Sequence, residues 1–170
     1  EKVVNSNVKW RSPSSDFCKK IAEFSKKFST KNPYKFLKIL CEGDGSKRLP
    51  IKLPKDGEPV FFPKTDTVIS VIGLSCLGKP IKETLFRYEL LPNLTSLDNY
   101  FIKSLQSADI VTTDFLYRLC LSEKGLRKNI TSQKFCIIFN QADILDEKAL
   151  AEVITLRNQL QTKGICSHII

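Results

Sequence analysis

Short runs of apolar residues recur along the chain, separated by longer segments in which apolar residues have helical spacing. Five of these runs have the length of a strand, and they are continuous rather than alternating. Continuous apolar runs are typical of strands that are covered on both faces, as in a parallel sheet between two layers of helices. The five predicted strands are residues 36–41, 67–72, 108–112, 135–139 and 165–170.

Polar residues that can cap a helix stand before each stretch of helical spacing. One helix is predicted behind Ser15, with apolar residues at every third or fourth position. Others are predicted from Thr95, from Thr113 and from Asp146, and Gly164 ends the last of them. Because strands and helices alternate, the pattern predicts one three-layer α/β domain with a mainly parallel sheet.

Composition narrows the class of protein further. No apolar stretch approaches the roughly 18–20 residues that a membrane span requires, so a membrane is not an expected partner. The six cysteines include no C-x-x-C pair, and His168 is the single histidine, so a zinc site of the usual spacing is not predicted and His168 is assigned no role. The cysteines are interpreted as reduced thiols of a cytoplasmic protein.

The formal net charge of +9 favours anionic partners. The basic residues are scattered, however, and no aromatic and basic motif of a nucleic-acid binder is present. Nucleic acid is therefore not the favoured partner, and binding of that kind would show a steep salt dependence.

The segment from 43 to 63 is a long loop rich in proline and glycine, and long loops in compact domains are often functional. It begins where the first predicted strand ends, with Glu42 and Asp44. Acids at the carboxyl end of a parallel strand can bind Mg²⁺ or act on a bound water, which makes Glu42 and Asp44 candidate metal ligands and catalytic residues. The alternative is a strand-end turn with solvated acids.

Basic residues follow the two acids and alternate with prolines, which fix φ and stiffen the loop. A stiff basic loop beside two carboxylates can bind an anion together with its metal ion. Lys47 and Lys52 are the candidate anion contacts, and the alternative is a solvated basic loop.

At this point the residues resemble a known family. The run EGDGSKRLPIKLPKDGEPVFFP (42–63) is similar to the signature of the YqeC family, the selenium-dependent hydroxylase accessory proteins. The similarity continues at 71–81, at Arg87, at 122–128 and at 139–143.

The resemblance implies a fold of the P-loop NTPase type and a role in maturing molybdenum hydroxylases. The implied partner is such a hydroxylase or its cofactor-maturation machinery. The implied ligands are Mg²⁺ with ATP, GTP or CTP, or a molybdopterin-type compound. Lys47, Lys52, Glu58 and Arg87 fall on the family pattern and are the implied ligand-binding residues.

The sequence also departs from the family. The G-x-G-G-K-T-T loop of family members does not occur in these 170 residues, and Phe86 stands where the family has histidine. We therefore expect a domain without its N-terminal strand and phosphate loop, and the choice between an NTPase and a nucleotide-dependent maturation factor that does not hydrolyse NTP stays open. The alternative function is a degenerate NTPase-fold scaffold that binds a protein partner without hydrolysing nucleotide.

Two further motifs follow predicted strands. Residues 73–80 spell G-x-x-x-x-G-K-P, but Pro80 lacks the hydroxyl of a Walker A motif, so we interpret the segment as a turn before a helix. Asn140 and Asp143 resemble the N-K-x-D loop that reads guanine, and the alternative is a helix cap. The ligand hypothesis requires that the turns carrying Asp44 and Asp143 open onto one cleft.

Overall fold

A computed structural model describes residues 15–31, 40–62, 65–94 and 109–170 of the chain. The chain divides into two compact units. The first unit comprises residues 1–41 and 62–64, and the second comprises residues 42–61 and 65–170.

In the first unit the described element is helix α1 (Ser15–Lys31), which confirms the helix predicted behind Ser15. Asp16 lies in its first turn and pairs with Lys20 at 2.9 Å. The rings of Phe24 and Phe28, one turn apart, lie 6.2 Å apart between centroids. Spacing of three and four residues therefore places the apolar stripe on one side of the helix, as predicted.

The second unit is built on a parallel sheet of three strands with the strand at 134–140 in the middle. Its strands are β2 (Thr67–Gly73), β4 (Lys134–Asn140) and β5 (Cys166–Ile169). These three strands confirm the predicted strands at 67–72, 135–139 and 165–170, and all pair in parallel. One face of the sheet carries fully buried residues such as Ile72, Ile137 and Phe139, which belong to the core.

A second parallel pair joins β1 (Ile51–Lys52) to β3 (Leu85–Phe86), with Ile51 opposite Leu85. Neither strand is predicted from the sequence, because each has only two residues. Ile51, Leu53 and Leu85 are buried in the same core as the larger sheet. The pair therefore fixes the proline-rich loop against residues 85–87.

Two predicted strands are not among the five observed. Residues 32–39 lie outside the described part of the chain, and Leu40 and Cys41 are not in a strand. The strand predicted at 108–112 is wrong for its described residues: Ile110 and Val111 make isolated bridges to Pro80 and Leu77. The chain cannot extend this pairing, because Thr112 already caps the next helix.

Three helices of the second unit are α2 (Ile81–Thr84), α3 (Thr113–Leu121) and α4 (Glu147–Thr162). The side chain of Asp146 accepts a hydrogen bond from the Ala149 amide and caps α4, as predicted. Gly164, with φ of 75°, follows its end. The helix predicted from Thr95 lies outside the described residues. None of the described helices combines the length and apolar character of a membrane span.

Candidate functional site

Four of the predicted site residues form one ion-pair network. The Nζ atom of Lys52 lies 2.7 Å from Asp44 Oδ2 and 2.9 Å from Glu58 Oε2. The guanidinium of Arg87 donates to both oxygens of Glu58, with Nη2 at 3.1 Å from Oε1 and Nη1 bound to Oε2. The side chains of Lys52 and Arg87 are only 10% and 17% exposed, so two cations and two carboxylates largely satisfy one another.

The network is positioned by the pairing of β1 with β3. Lys52 lies opposite Phe86 in that pair, and the Leu53 amide donates to the Phe86 carbonyl at 3.0 Å. Arg87 Nη1 also donates to the Leu53 carbonyl at 3.3 Å. The two-residue strands thus place Lys52 and Arg87 on either side of Glu58.

Residues that follow α3 donate hydrogen bonds to the proline-rich loop that carries Glu58. Lys128 Nζ donates to the Lys55 carbonyl at 2.9 Å, and Asn129 Nδ2 donates to the Pro59 carbonyl at 3.1 Å. Sequence reasoning missed these contacts. The resemblance covered the segment 122–128, but no local pattern shows that it reaches back to residues 55–59.

The pKa of Glu58 is lowered from 4.5 to about 2. The hydrogen bonds from Arg87 are the main cause, the partial burial of the carboxyl opposes them, and Lys52 adds a further lowering. The same pairing raises the pKa of Arg87. Glu58 therefore stays ionised at neutral pH, and its chemistry is that of a fixed negative charge rather than a proton donor.

The predicted metal ligands Glu42 and Asp44 are exposed, and Asp44 is already paired with Lys52. Across the described ranges, these two acids do not meet a third carboxylate, thiol or imidazole close enough to share an ion. A Mg²⁺ ion bound there would take most of its ligands from water or from a phosphate, as Mg²⁺ usually does in proteins. Metal binding and catalysis by Glu42 and Asp44 stay predictions.

Lys47 and Arg48 are exposed basic residues of the same loop as the ion-pair network. Both are exposed, and in the described part of the chain no carboxylate pairs with either. Lys47 Nζ lies 5.0 Å from the centroid of the Phe86 ring, and Arg87 Cζ lies 4.7 Å from it. The ring of Phe86 thus contacts two cations.

The backbone at these basic residues is unusual. Lys47, Arg48 and Arg87 have φ values of 52°, 66° and 66°, in the left-handed region. Residues with a Cβ pay on the order of 1 kcal/mol or more there, and such positions concentrate at functional sites. We call Lys47, Arg48, Lys52, Phe86 and Arg87 the basic rim.

Gly73 connects the loop that bears the basic rim to the turn after β4. Its amide donates to the Pro50 carbonyl at 3.0 Å. A Cβ atom on Gly73 would lie 3.2 Å from Pro50 Cβ and 2.8 Å from Gln141 Oε1, so Gly73 is in close contact with both segments. Both turns therefore adjoin the carboxyl end of β2, which the hypothesis of a common cleft requires.

A side chain within the turn after β4 stabilises that turn. Asn140 Oδ1 accepts a hydrogen bond from the Gln141 amide at 2.8 Å, and Gln141 has φ of 70°. Asp143 is exposed in the short 3₁₀ turn Ala142–Ile144 and does not cap α4, which Asp146 does. Contact of Asn140 and Asp143 with a base stays a prediction.

The segment 73–80 is a turn, as interpreted from the sequence. Residues Leu74–Cys76 form a 3₁₀ helix in which both Leu74 and Cys76 are buried. The amides of Leu77, Gly78 and Lys79 donate to carbonyls of the protein at 3.1, 2.9 and 3.1 Å. These groups are therefore not available to wrap a phosphate.

A shallow cleft of about 250 Å³ lies between α3 and α4, lined by Thr113, Asp114, Glu152, Thr155, Leu156 and Gln159. None of the predicted site residues lines it. It carries two acids and no base, so it does not fit the anionic ligands expected from the sequence.

A family model described as YqeC protein matches residues 3–89, just over half of the chain. The match includes the loop of the ion-pair network and both strands of the β1–β3 pair. No curated protein and no solved structure matches the chain.

Proposed function

The chain belongs to the YqeC family, and on that premise we propose that it is an accessory protein for the maturation of selenium-dependent molybdenum hydroxylases in the cytosol. In this proposal it binds a phosphate-bearing ligand at the basic rim. The ligand is a nucleotide such as ATP, GTP or CTP with Mg²⁺, or a molybdopterin-type compound. The partner is a molybdenum hydroxylase or its cofactor-maturation machinery.

The observation that carries the proposal is that some cations of the basic rim are paired with carboxylates and others are not. Lys52 and Arg87 are neutralised by Asp44 and Glu58, so they serve as the frame of the site. Lys47 and Arg48 lie beside this frame and have no carboxylate partner in the residues that the structure describes. An exposed ammonium and an exposed guanidinium on adjacent residues are suited to phosphate oxygens.

The remaining predicted residues take roles around this phosphate site. Glu42 and Asp44 bind the Mg²⁺ ion, directly or through water, at the edge of the frame. Asn140 and Asp143 face the base from the turn after β4, which adjoins the loop of the basic rim at Gly73.

Calorimetric titration of the full-length protein with Mg²⁺ and each of the three nucleotides tests the proposal. One charge-assisted hydrogen bond contributes about 1.5–3 kcal/mol, so Lys47→Gln or Arg48→Gln should weaken binding by roughly 10-fold to 100-fold. Lys163→Gln is the matched control, because Lys163 is exposed at the far end of α4 from the turn at 140–143. The proposal fails if no phosphate-bearing ligand binds, or if the Lys47 variant behaves like the control.

A scaffold without nucleotide hydrolysis is the second candidate function. It is favoured by the segment 73–80, whose amides are already used within the protein. Pull-down of the hydroxylase partner separates the two candidates: a scaffold binds it equally with or without nucleotide, and Lys47→Gln leaves the interaction unchanged. A nucleotide-dependent factor loses partner binding or hydroxylase maturation in the Lys47 variant and retains both in the Lys163 variant.

A further inference from the structure

Two cysteines and the single histidine of the chain meet on one face of the β2-β4-β5 sheet. The parallel register places Cys136 directly beside Cys166, and His168 follows two residues later on the same strand. Side chains two residues apart in a strand share a face, and this face is opposite the one that buries Ile137 and Ser167.

The three ligand atoms are close enough to share one metal ion. The sulfurs of Cys136 and Cys166 and a ring nitrogen of His168 all lie within 4.8 Å of one another. Cys166 Sγ lies 3.4 Å from His168 Nε2. In a tetrahedral zinc site with Zn–S of about 2.3 Å and Zn–N of about 2.0 Å, a sulfur and a nitrogen lie ~3.5 Å apart and two sulfurs ~3.8 Å apart.

The same geometry is less suited to a disulfide. Paired residues of neighbouring strands project side by side at the strand spacing of about 4.8 Å, whereas a disulfide needs Cβ atoms about 3.8 Å apart. A metal ion bridges sulfurs that remain ~3.8 Å apart, so it needs only side-chain rotation. A metal site also accounts for the position of His168 beside the two sulfurs, whereas a disulfide does not involve this side chain.

We propose that Cys136, Cys166 and His168 form a binding site for a thiophilic metal ion of the Zn²⁺ type. Two thiolates and one imidazole are soft and borderline donors that select Zn²⁺ over Mg²⁺ or Ca²⁺. Cys166 and His168 are exposed and Cys136 is half-buried, so the ion is reachable from one side of the sheet. Three protein ligands leave a fourth position for water or a small ligand, which is the arrangement of zinc sites that exchange ligands rather than closed structural ones.

This site is independent of the basic rim, which lies in other segments of the chain and offers no thiol or imidazole. The proposal therefore stands or falls separately from nucleotide binding. It also differs from a Mg²⁺ site at Glu42 and Asp44, because that pair offers only hard oxygen ligands.

The test is a metal titration of the intact protein, reduced with a phosphine and stripped with a chelator. Co²⁺ should bind at one ion per chain and give a thiolate-to-cobalt charge-transfer band with the intense visible bands of tetrahedral cobalt. Zn²⁺ should displace it and bleach both, and competition with a chromophoric chelator gives the affinity.

Variants at the two exposed ligands identify the site. Loss of an outer-shell partner of a metal ligand commonly costs 10–100-fold in affinity, so Cys166→Ser or His168→Gln should each cost more than about 100-fold. Cys41→Ser is the matched control, since Cys41 is another exposed cysteine and lies outside the cluster. Circular dichroism of the metal-free variants checks that both retain the fold.

Three results would overturn the proposal. The first is a reduced protein that gives no thiolate-to-cobalt band. The second is an affinity that survives His168→Gln, because His168 would then not be a ligand of the ion. The third is a disulfide between Cys136 and Cys166 in the native protein together with no zinc binding after reduction.

Discussion

Replacement of Glu58 by glutamine tests whether the ion-pair network stabilises the second unit. The carboxylate of Glu58 accepts hydrogen bonds from Arg87 and pairs with Lys52, and its side chain is 21% exposed. Glutamine keeps the shape but loses the charge, and its amide nitrogen would face a cation. Arg87 is then left in a half-buried position with no carboxylate partner among the described residues.

The magnitude follows from the pKa of Glu58. A fall from 4.5 to about 2 on folding corresponds to roughly 3 kcal/mol at neutral pH. Because the loop is partly solvated, screening reduces this value, and we expect Glu58→Gln to cost about 2 kcal/mol. For a chain of this length that is a fall in Tm of roughly 4–8 °C.

The pH dependence gives the prediction its sign. The folded-state pKa of Glu58 lies below the unfolded value, so its stabilisation is complete above pH 4.5 and is lost as the pH falls towards 2. The difference in unfolding free energy between wild type and Glu58→Gln should therefore be constant near neutrality and shrink on acidification.

Urea denaturation followed by circular dichroism, from neutral pH down to about pH 3, measures this difference. Glu152→Gln is the matched control, because Glu152 is exposed on α4 and no ion pair to it is found in the described ranges. The reasoning is refuted if Glu58→Gln costs no more than the control, or if its cost does not change with pH.

Three further outcomes are expected. Gly73→Ala should cost about 1 kcal/mol, since its Cβ would lie 3.2 Å from Pro50 Cβ and 3.3 Å from Pro50 Cα, whereas Gly43→Ala, with nothing within 4 Å, should be neutral in the same urea titration. Asp146→Ala should lower the free energy of unfolding by about 1 kcal/mol through loss of the α4 cap, and Asp146→Asn should retain it. Burial raises the pKa of the Cys76 thiol to about 12, so mass spectrometry after alkylation should find it unmodified in the native protein and modified in urea.

The sequence was most informative where an element is long and local. Strands β2 and β4 follow from continuous apolar runs rich in isoleucine and valine, and α4 follows from its cap and its apolar spacing. Strands β1 and β3 have two residues each and exist because Ile51 and Leu85 pair across the chain. No window of local sequence contains that pairing, so no periodicity predicts it.

The candidate site shows the same limit. The sequence indicated Asp44 as a metal ligand and Lys52, Glu58 and Arg87 as ligand-binding residues, but it did not show that they bind one another. The spacing of the cysteines along the sequence does not predict a zinc site. The two thiols that meet lie on different strands, 30 residues apart in the sequence. A histidine two residues after a cysteine on an apolar strand is the signal that was present, and only the register supplies the third ligand.

Preorganisation of the basic rim leads to a prediction whose sign separates two mechanisms of anion binding. If charge alone governs affinity, Glu58→Gln removes a negative charge near the rim and should strengthen nucleotide binding. If the network holds Lys47 and Arg48 in their left-handed conformations, its loss should weaken binding, because the ligand must then order the loop itself. We expect the second outcome. The affinity for nucleotide should fall about fivefold for each ~1 kcal/mol of backbone strain that the ligand, rather than the network, must then offset. Calorimetric titration of the Glu58 variant decides the matter, and tighter binding than wild type would exclude a preorganising role for the ion pairs.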